Sequence, residues 1–117
     1  PMGLTRAFLP LLKQSADASV IFVGESHSED PKAYWGGFGA SKAALNYLCK
    51  VAADEWERFD NLRANVLVPG PVNSPQRMKT HPGEARSERK DYEEIMPDFV
   101  WWASVESRGR SGEIVYL

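Results

Sequence analysis

The feature that most constrains the fold is an alternation between two hydrophobic periods along the chain. Residues 18–24 read Ala-Ser-Val-Ile-Phe-Val-Gly, a short β-branched run that ends at glycine and is typical of a buried strand. Residues 63–68 form a second such run, which Pro-Gly-Pro ends abruptly, and residues 112–117 form a third. Apolar residues at helical spacing fill the segments before and between these runs. This order predicts a parallel α/β sheet with right-handed crossovers.

Three helical segments accompany the predicted strands. The first covers residues 4–12 and contains Pro10, which removes a backbone donor and should kink the helix. The second covers residues 35–59 and carries one apolar stripe along its length. The third covers residues 95–107 and places Pro97 in its first turn, where proline is tolerated.

Composition excludes several classes of protein. The 117 residues suit a single core, and their 43% apolar and 26% charged content is that of an ordered domain. The net charge of −2 lacks the basic surplus of a non-specific nucleic-acid binder. Cys49 is the single cysteine, no ligand spacing connects His27 with His81, and no apolar run is long enough to cross a membrane. We therefore expect a cytoplasmic protein without metal, nucleic-acid or membrane partners.

The polar segments that follow the first two strands are the candidate functional site, because ligands of parallel sheets bind at the carboxyl ends of the strands. These segments are residues 24–28 and 69–74. His27 could pair with Glu25, but in so polar a loop we expect both side chains to be solvated. Residues 77–90 mix basic with acidic side chains, which predicts a solvated lid rather than a phosphate-binding patch.

Residues 35–44 and 69–74 together resemble a known family. The first segment, Trp-Gly-Gly-Phe-Gly-Ala-Ser-Lys-Ala-Ala, is similar to the active-site helix of short-chain dehydrogenases/reductases, whose hallmark is Tyr-x-x-x-Lys followed by small residues. The second segment, Pro-Gly-Pro-Val-Asn-Ser, is similar to the Pro-Gly-x-Val-x-Thr segment of that family. Residues 4–12 and 95–107 resemble a bacterial oxidoreductase branch of it. The resemblance implies the carboxyl-terminal half of a Rossmann-like doubly wound parallel sheet, with NAD or NADP as cofactor.

The resemblance also implies roles for particular residues. Lys42 matches the family's lysine, whose ammonium binds the nicotinamide ribose and lowers the pKa of the catalytic tyrosine. Residues 74–94, which are charged and interrupted by proline, would form a substrate lid as a mobile loop or a short exposed helix. Four residues would lie with Lys42 at the nicotinamide end of the cofactor: Pro69, Gly70, Val72 and Ser74.

The sequence departs from the family at its catalytic positions. Phe38 stands where the family has its tyrosine, and phenylalanine has no hydroxyl to donate or accept a proton. Glu25 stands at the family's serine position, and a shift of one residue would bring Ser26 there instead. Tyr34 lies about 12 Å from Lys42 along an ideal helix, which makes it a poor substitute. The family's glycine motif for the cofactor phosphates has no counterpart in the sequence.

Two functions remain open from the sequence. The first is an NAD(P)-dependent oxidoreductase of which residues 1–117 form one partial domain. Such a chain should be inactive and bind little cofactor by itself, because the tyrosine and the amino-terminal cofactor-binding half are missing. Both ends of the chain look cut, since no capping residue precedes the first helix and the last strand ends at Leu117. The second function is that of a non-catalytic pseudoenzyme or assembly module.

Both functions imply a protein partner. Half of a doubly wound sheet exposes a strand edge and an apolar face, so we expect an isolated chain not to be a stable monomer. The partner would be a second copy of the chain or a chain that supplies the missing half. The resemblance implies that the first helix and the long helix would pair with their copies, through Ala40, Ala43, Ala44, Trp56 and Phe59.

Overall fold

Helices and strands alternate along the chain in the predicted order. The computed structural model describes residues 1–117. Short 3-10 turns at Ser26–Ser28, Arg86–Glu88 and Val105–Ser107 lie between the main elements. The main elements are α1 (Met2–Gln14), β1 (Ala18–Val23), α2 (Gly36–Trp56), β2 (Leu62–Val68), α3 (Pro75–Thr80), α4 (Tyr92–Ala103) and β3 (Ile114–Tyr116).

The three strands form one parallel sheet in the order β1-β2-β3. Val23 of β1 pairs with Leu67 of β2, which pairs in turn with Val115 of β3. All seven residues of β2 are buried, whereas β1 is an edge strand whose last residue is exposed. The prediction of a three-stranded parallel α/β sheet is therefore confirmed.

The main core lies between the sheet and α2. Every second residue of a strand points to the same face, so alternate residues of β1 and β2 meet the apolar stripe of α2. α1 buries none of its residues fully and packs Leu9 and Leu12 against the edge of this core. The buried residues of the core are Ala18, Phe22, Leu45, Cys49, Ala52, Trp56, Leu62, Ala64, Val66 and Val68.

The opposite face of the sheet carries a buried ion pair. The guanidinium of Arg63, at the start of β2, donates to both carboxylate oxygens of Asp17, at 2.7 and 3.2 Å. It also donates to the Ser107 hydroxyl at 2.9 Å and to the Ser104 carbonyl at 2.6 Å. Arg108, which is exposed, donates to the same Asp17 carboxylate at 2.8 Å. Asp17 thus joins three segments: the residues directly before β1, the start of β2 and the residues after α4.

Two expectations about the helices are wrong. Pro97 is the sixth residue of α4 rather than part of its first turn, because the helix begins at Tyr92 directly after Asp91. Trp56 cannot contribute to a partner surface, because it is only 6% exposed and packs in the main core. The helical stripe that includes Trp56 therefore faces the sheet, and the alanines at positions 40, 43 and 44 lie on the exposed side of α2.

Candidate functional site

An open cleft of about 370 Å³ lies at the carboxyl ends of β1 and β2. The segment after β1, the first turns of α2, the segment after β2 and α3 form its walls. All but one of the site residues that the sequence singles out line this cleft: Glu25, Phe38, Lys42, Pro69, Gly70, Val72 and Ser74. Ser26 is the exception, because its hydroxyl turns back and donates to a carboxylate oxygen of Glu25 at 2.9 Å.

Lys42 and Phe38 lie on one face of α2 because residues four apart on a helix are neighbours. The Lys42 ammonium donates to the carbonyl of Val23, the last residue of β1, at 3.0 Å. It also lies 5.8 Å from the centroid of the Phe38 ring, within the range of a cation–π contact. The lysine is thus fixed at the end of the edge strand, beside a side chain that carries no exchangeable proton.

Glu25 and His27 form a hydrogen-bonded pair in the wall of the cleft. Nδ1 of His27 lies 2.7 Å from Oε1 of Glu25, and the two side chains are only 10% and 20% exposed. Burial alone would raise the pKa of Glu25, but the hydrogen bonds from His27 and Ser26 outweigh it and leave the pKa below its usual value. The expectation that both side chains are solvated is therefore wrong.

Close packing against α2 explains this pairing. Gly39 has no side chain, and a β carbon there would lie 2.8 Å from the carbonyl oxygen of His27. The backbone at His27 therefore approaches the helix closely, and the imidazole stacks on Trp35 at a centroid distance of 5.1 Å. The polar composition of the loop gave no sign of this approach.

Trp35 connects the two sides of the cleft. Its indole stacks on His81, at the end of α3, with centroids 5.3 Å apart, and meets the edge of Phe38 at 5.4 Å. The sequence singles out neither Trp35 nor His81 as a site residue. The available signal is the presence of a large aromatic residue directly before the small residues that open α2.

The segment after β2 is shaped by a turn and a helix cap. Gly70 has a φ of +71°, the left-handed region that glycine adopts at little cost. The Ser74 hydroxyl accepts a hydrogen bond of 3.1 Å from the backbone N–H of Arg77 and so caps α3. Ser74 therefore holds the start of α3 against the cleft.

Residues 74–94 combine the short helix α3 with a network of ion pairs. Arg77 donates to both oxygens of Glu84, at 2.8 and 2.6 Å, and Arg89 donates to the same carboxylate at 3.1 Å. The hydrogen bond from Arg77 lowers the pKa of Glu84 to about 2. Backbone hydrogen bonds tie Lys90 to Pro71 and Asn73. Of the two alternatives, a mobile loop or a short exposed helix, the structure has the short helix α3 without a buried residue, followed by an exposed segment that these ion pairs hold together.

A larger cleft, of about 660 Å³, lies at the amino-terminal end of β2 and contains none of the predicted site residues. It is lined by the last turns of α2, the start of β2 and Gly109 to Gly112. Ligands of parallel sheets bind at the carboxyl ends of the strands, so the smaller cleft is the candidate site.

No group of three or more His, Cys, Asp or Glu side chains could hold a metal ion, and none of the helices has the length and apolarity to cross a membrane.

Comparison with known proteins places this chain in a family. The model of the short chain dehydrogenase family matches residues 1–85. The chain belongs to this family. Among its members, the oxidoreductase YciK of Escherichia coli (strain K12) is 35% identical over 109 residues, which are 93% of this chain and 42% of that protein. The benzil reductase ((S)-benzoin forming) IRC24 of Saccharomyces cerevisiae is 38% identical over 74 residues, 62% of this chain and 28% of that protein.

A solved structure shows the same architecture. The short chain dehydrogenase from Shigella flexneri 2a, complexed with NADP, matches with a TM-score of 0.89 and 34% sequence identity over 97% of this chain. The match covers 46% of that dehydrogenase, so this chain spans less than half the length of the relatives it resembles. The family resemblance and the Rossmann-like fold class predicted from sequence are confirmed.

Proposed function

We propose that the chain is the carboxyl-terminal half of an NAD(P)-dependent oxidoreductase that interconverts carbonyl compounds and alcohols. The observation that carries this proposal is the cleft at the ends of β1 and β2, which gathers Lys42, Phe38, Glu25 and residues 69–74 into one site. In a family member, this is the cleft where hydride transfer is expected. Residues 1–117 then form one partial domain, with residues 74–94 as its substrate lid.

The residues present fit the nicotinamide end of the cofactor. A cleft of about 370 Å³ is within the size range of small-molecule sites. The Lys42 ammonium uses one N–H on Val23 and leaves its others without a protein acceptor, so they are available to ribose hydroxyls. When bound, NAD(P) supplies or accepts the hydride. Pro69, Gly70 and Val72 would lie against the nicotinamide, and the phosphates would need a glycine-rich segment that these residues do not contain.

The chain by itself is expected to show no turnover. Phe38 offers no proton to a carbonyl oxygen, and without a phosphate cradle the cofactor gains little binding energy. The assay mixes the isolated chain with NADPH or NADH and benzil, the diketone in the name of the yeast relative, and follows cofactor absorbance. Cofactor oxidation that Lys42→Met abolishes would contradict this expectation.

Cofactor binding tests the proposal directly in the complemented chain, which we define as this chain co-expressed with the amino-terminal half of the E. coli relative. Lys42→Met should weaken NADPH binding by about 10-fold to 100-fold, because a hydrogen bond from a charged group contributes about 1.5–3 kcal/mol. Lys50→Met, an exposed lysine of the same helix outside the cleft, is the matched control. Equal NADPH affinity in the two variants, measured by cofactor fluorescence, would rule out the proposed role of the cleft.

An exposed apolar stripe on α1 favours a second candidate function, self-assembly. Leu4, Phe8 and Leu11 lie on the side of α1 that faces away from the core and are 67%, 50% and 62% exposed. Helices with such a stripe associate in order to bury it. We propose a second copy of this chain as the partner, with α1 and the alanine-rich side of α2 as the contact.

Self-association should therefore be measurable at low micromolar concentration. Phe8→Glu places a charge in the stripe and should weaken dimerisation at least about 10-fold, since burying an aromatic side chain contributes about 1.5–3 kcal/mol. Arg6→Glu inserts the same side chain on the opposite side of α1 and serves as the control. Sedimentation velocity distinguishes the outcomes. If the unmodified chain is a monomer that unfolds cooperatively, the proposed contact between two copies is refuted.

A further inference from the structure

We propose that His27, oriented by Glu25, is the proton donor and acceptor of the cleft, in place of the hydroxyl that Phe38 lacks. This inference rests on the proposed function, because it assigns a residue to the same reaction. No resemblance to the family points to it, since Glu25 occupies the serine position and His27 corresponds to no catalytic residue of the family. It is carried by how the structure arranges the two side chains.

The hydrogen bond to Glu25 determines which nitrogen of His27 stays unpaired. Glu25 is a carboxylate with a lowered pKa, so it accepts a hydrogen bond from the Nδ1–H of His27, with the two atoms 2.7 Å apart. In neutral imidazole, donation from Nδ1 makes Nε2 the acceptor, and in the imidazolium both nitrogens donate. The carboxylate therefore orients the ring, as an acidic residue does for a catalytic histidine.

Nε2 of His27 remains available to a ligand. It has no hydrogen-bond partner in the protein, while His27 lines the cleft. Asn46 Oδ1 is the one fully buried side-chain nitrogen or oxygen without a partner, so Nε2 of His27 keeps some exposure, although the side chain as a whole is only 10% exposed. A histidine in the wall of a cleft, with one nitrogen held by a carboxylate and the other unpaired, meets the geometric requirement for a general acid–base group.

The position of the ring suits the missing function. His27 and Phe38 both contact the indole of Trp35, with centroids at 5.1 and 5.4 Å. The imidazole thus lies in the same aromatic cluster as the residue that replaces the tyrosine. Lys42, on the other side of Phe38, and Arg77, which is held by Glu84, are the cations that line the same cleft. Neither bonds to Glu25, whose carboxylate is hydrogen-bonded to His27 and Ser26.

The assigned step is a proton transfer. In the direction of reduction, the carbonyl carbon of the substrate accepts the hydride that NAD(P)H supplies under the proposed function. The electron pair of the carbonyl double bond moves to oxygen, which forms a bond to the proton on Nε2. The Nε2–H bond breaks, its electrons stay on the ring, and the imidazolium becomes neutral imidazole beside Glu25. Alcohol oxidation reverses the same transfers.

The orientation of the dyad can be tested in the chain without any cofactor. Nitrogen-15 NMR of the imidazole side chains should show the neutral His27 ring mainly as the Nδ1–H tautomer, and Glu25→Ala should shift it towards a mixture of tautomers. His81, whose Nδ1 lies against the Thr80 hydroxyl instead of a carboxylate, is the internal reference and should not change. The same mixture of the two neutral tautomers of His27 with and without Glu25 would overturn the proposal.

The catalytic role is tested in the complemented chain with NADPH and benzil. His27→Gln should lower kcat by about 100-fold and leave NADPH affinity unchanged, because general acid–base catalysis contributes about 10²–10⁴-fold. In a Phe38→Tyr background the same substitution should cost less than about 3-fold, since the tyrosine then supplies the proton. NADPH binding with an unchanged kcat in His27→Gln would overturn the dyad alone. Absence of NADPH binding would overturn the proposed function and, with it, the catalytic role of His27.

Discussion

Replacing Asp17 with alanine is expected to destabilise the fold by about 3–5 kcal/mol, the effect of breaking a buried ion pair by removing one partner. The Arg63 side chain is 3% exposed, and Asp17 is the carboxylate that neutralises it. Without that carboxylate the guanidinium keeps its bonds to Ser107 and Ser104 but remains a buried charge with no counter-ion. A loss of this size is a large fraction of the stability of a small domain.

Urea unfolding at one protein concentration measures this effect, because the stability of an associating chain depends on its concentration. Arg108→Ala is the matched control, since it removes an exposed partner of the same carboxylate and should cost at most about 1 kcal/mol. Equal losses of unfolding free energy in Asp17→Ala and Arg108→Ala would contradict a buried ion pair between Asp17 and Arg63. Arg63→Met combined with Asp17→Ala should recover part of the loss, because no unpaired charge is then buried.

Low pH should weaken the ion pair between Asp17 and Arg63. The hydrogen bonds from Arg63 and then Arg108 hold the pKa of Asp17 at about 2, below its ordinary 3.8. Because the folded pKa is lowered, the stabilisation is complete above pH 3.8 and is lost as the pH falls towards about 2. Asp17→Ala should remove this part of the acid dependence.

Phe38→Tyr is expected to increase turnover only when the amino-terminal half is supplied. In the complemented chain with His27→Gln, where neither proton donor is present, the gain should be about 10²-fold to 10⁴-fold, the usual contribution of a general acid. With His27 intact the gain should be smaller, because the dyad already supplies a proton. In the isolated chain the new hydroxyl has no bound cofactor to act with, and no turnover should appear.

The rate of NADPH oxidation with benzil measures this prediction. Phe38→Leu, which removes the ring without adding a hydroxyl, is the control and should show no gain. A gain of the same size in Phe38→Leu would attribute the effect to the shape of the cleft instead of proton transfer. The Lys42 ammonium lies near the ring of residue 38 and favours a tyrosinate there, so Lys42→Met should remove most of the gain from Phe38→Tyr.

The sequence by itself determined the architecture and the location of the site. Short β-branched runs and helical stripes are local patterns, so β1, β2 and α2 could be placed within a few residues from periodicity alone. The rule that ligands bind at the carboxyl ends of parallel strands then located the cleft, and the resemblance identified Lys42 and Phe38 within it. These inferences hold because they depend on residues that are close together in the chain.

Only the tertiary structure decided which polar groups meet. Asp17 and Arg63 are separated by 46 positions, and their pairing depends on the parallel register of β1 with β2. Composition suggested a solvated loop at Glu25 and His27, whereas the absence of a side chain at Gly39 lets that loop pack on α2 and shields both residues from water. Trp56 likewise joined the core because of the way α2 lies on the sheet. Burial and hydrogen-bond partners are set by the approach of distant segments, and for that reason the tertiary structure, and not the local pattern, determines the chemistry of the cleft.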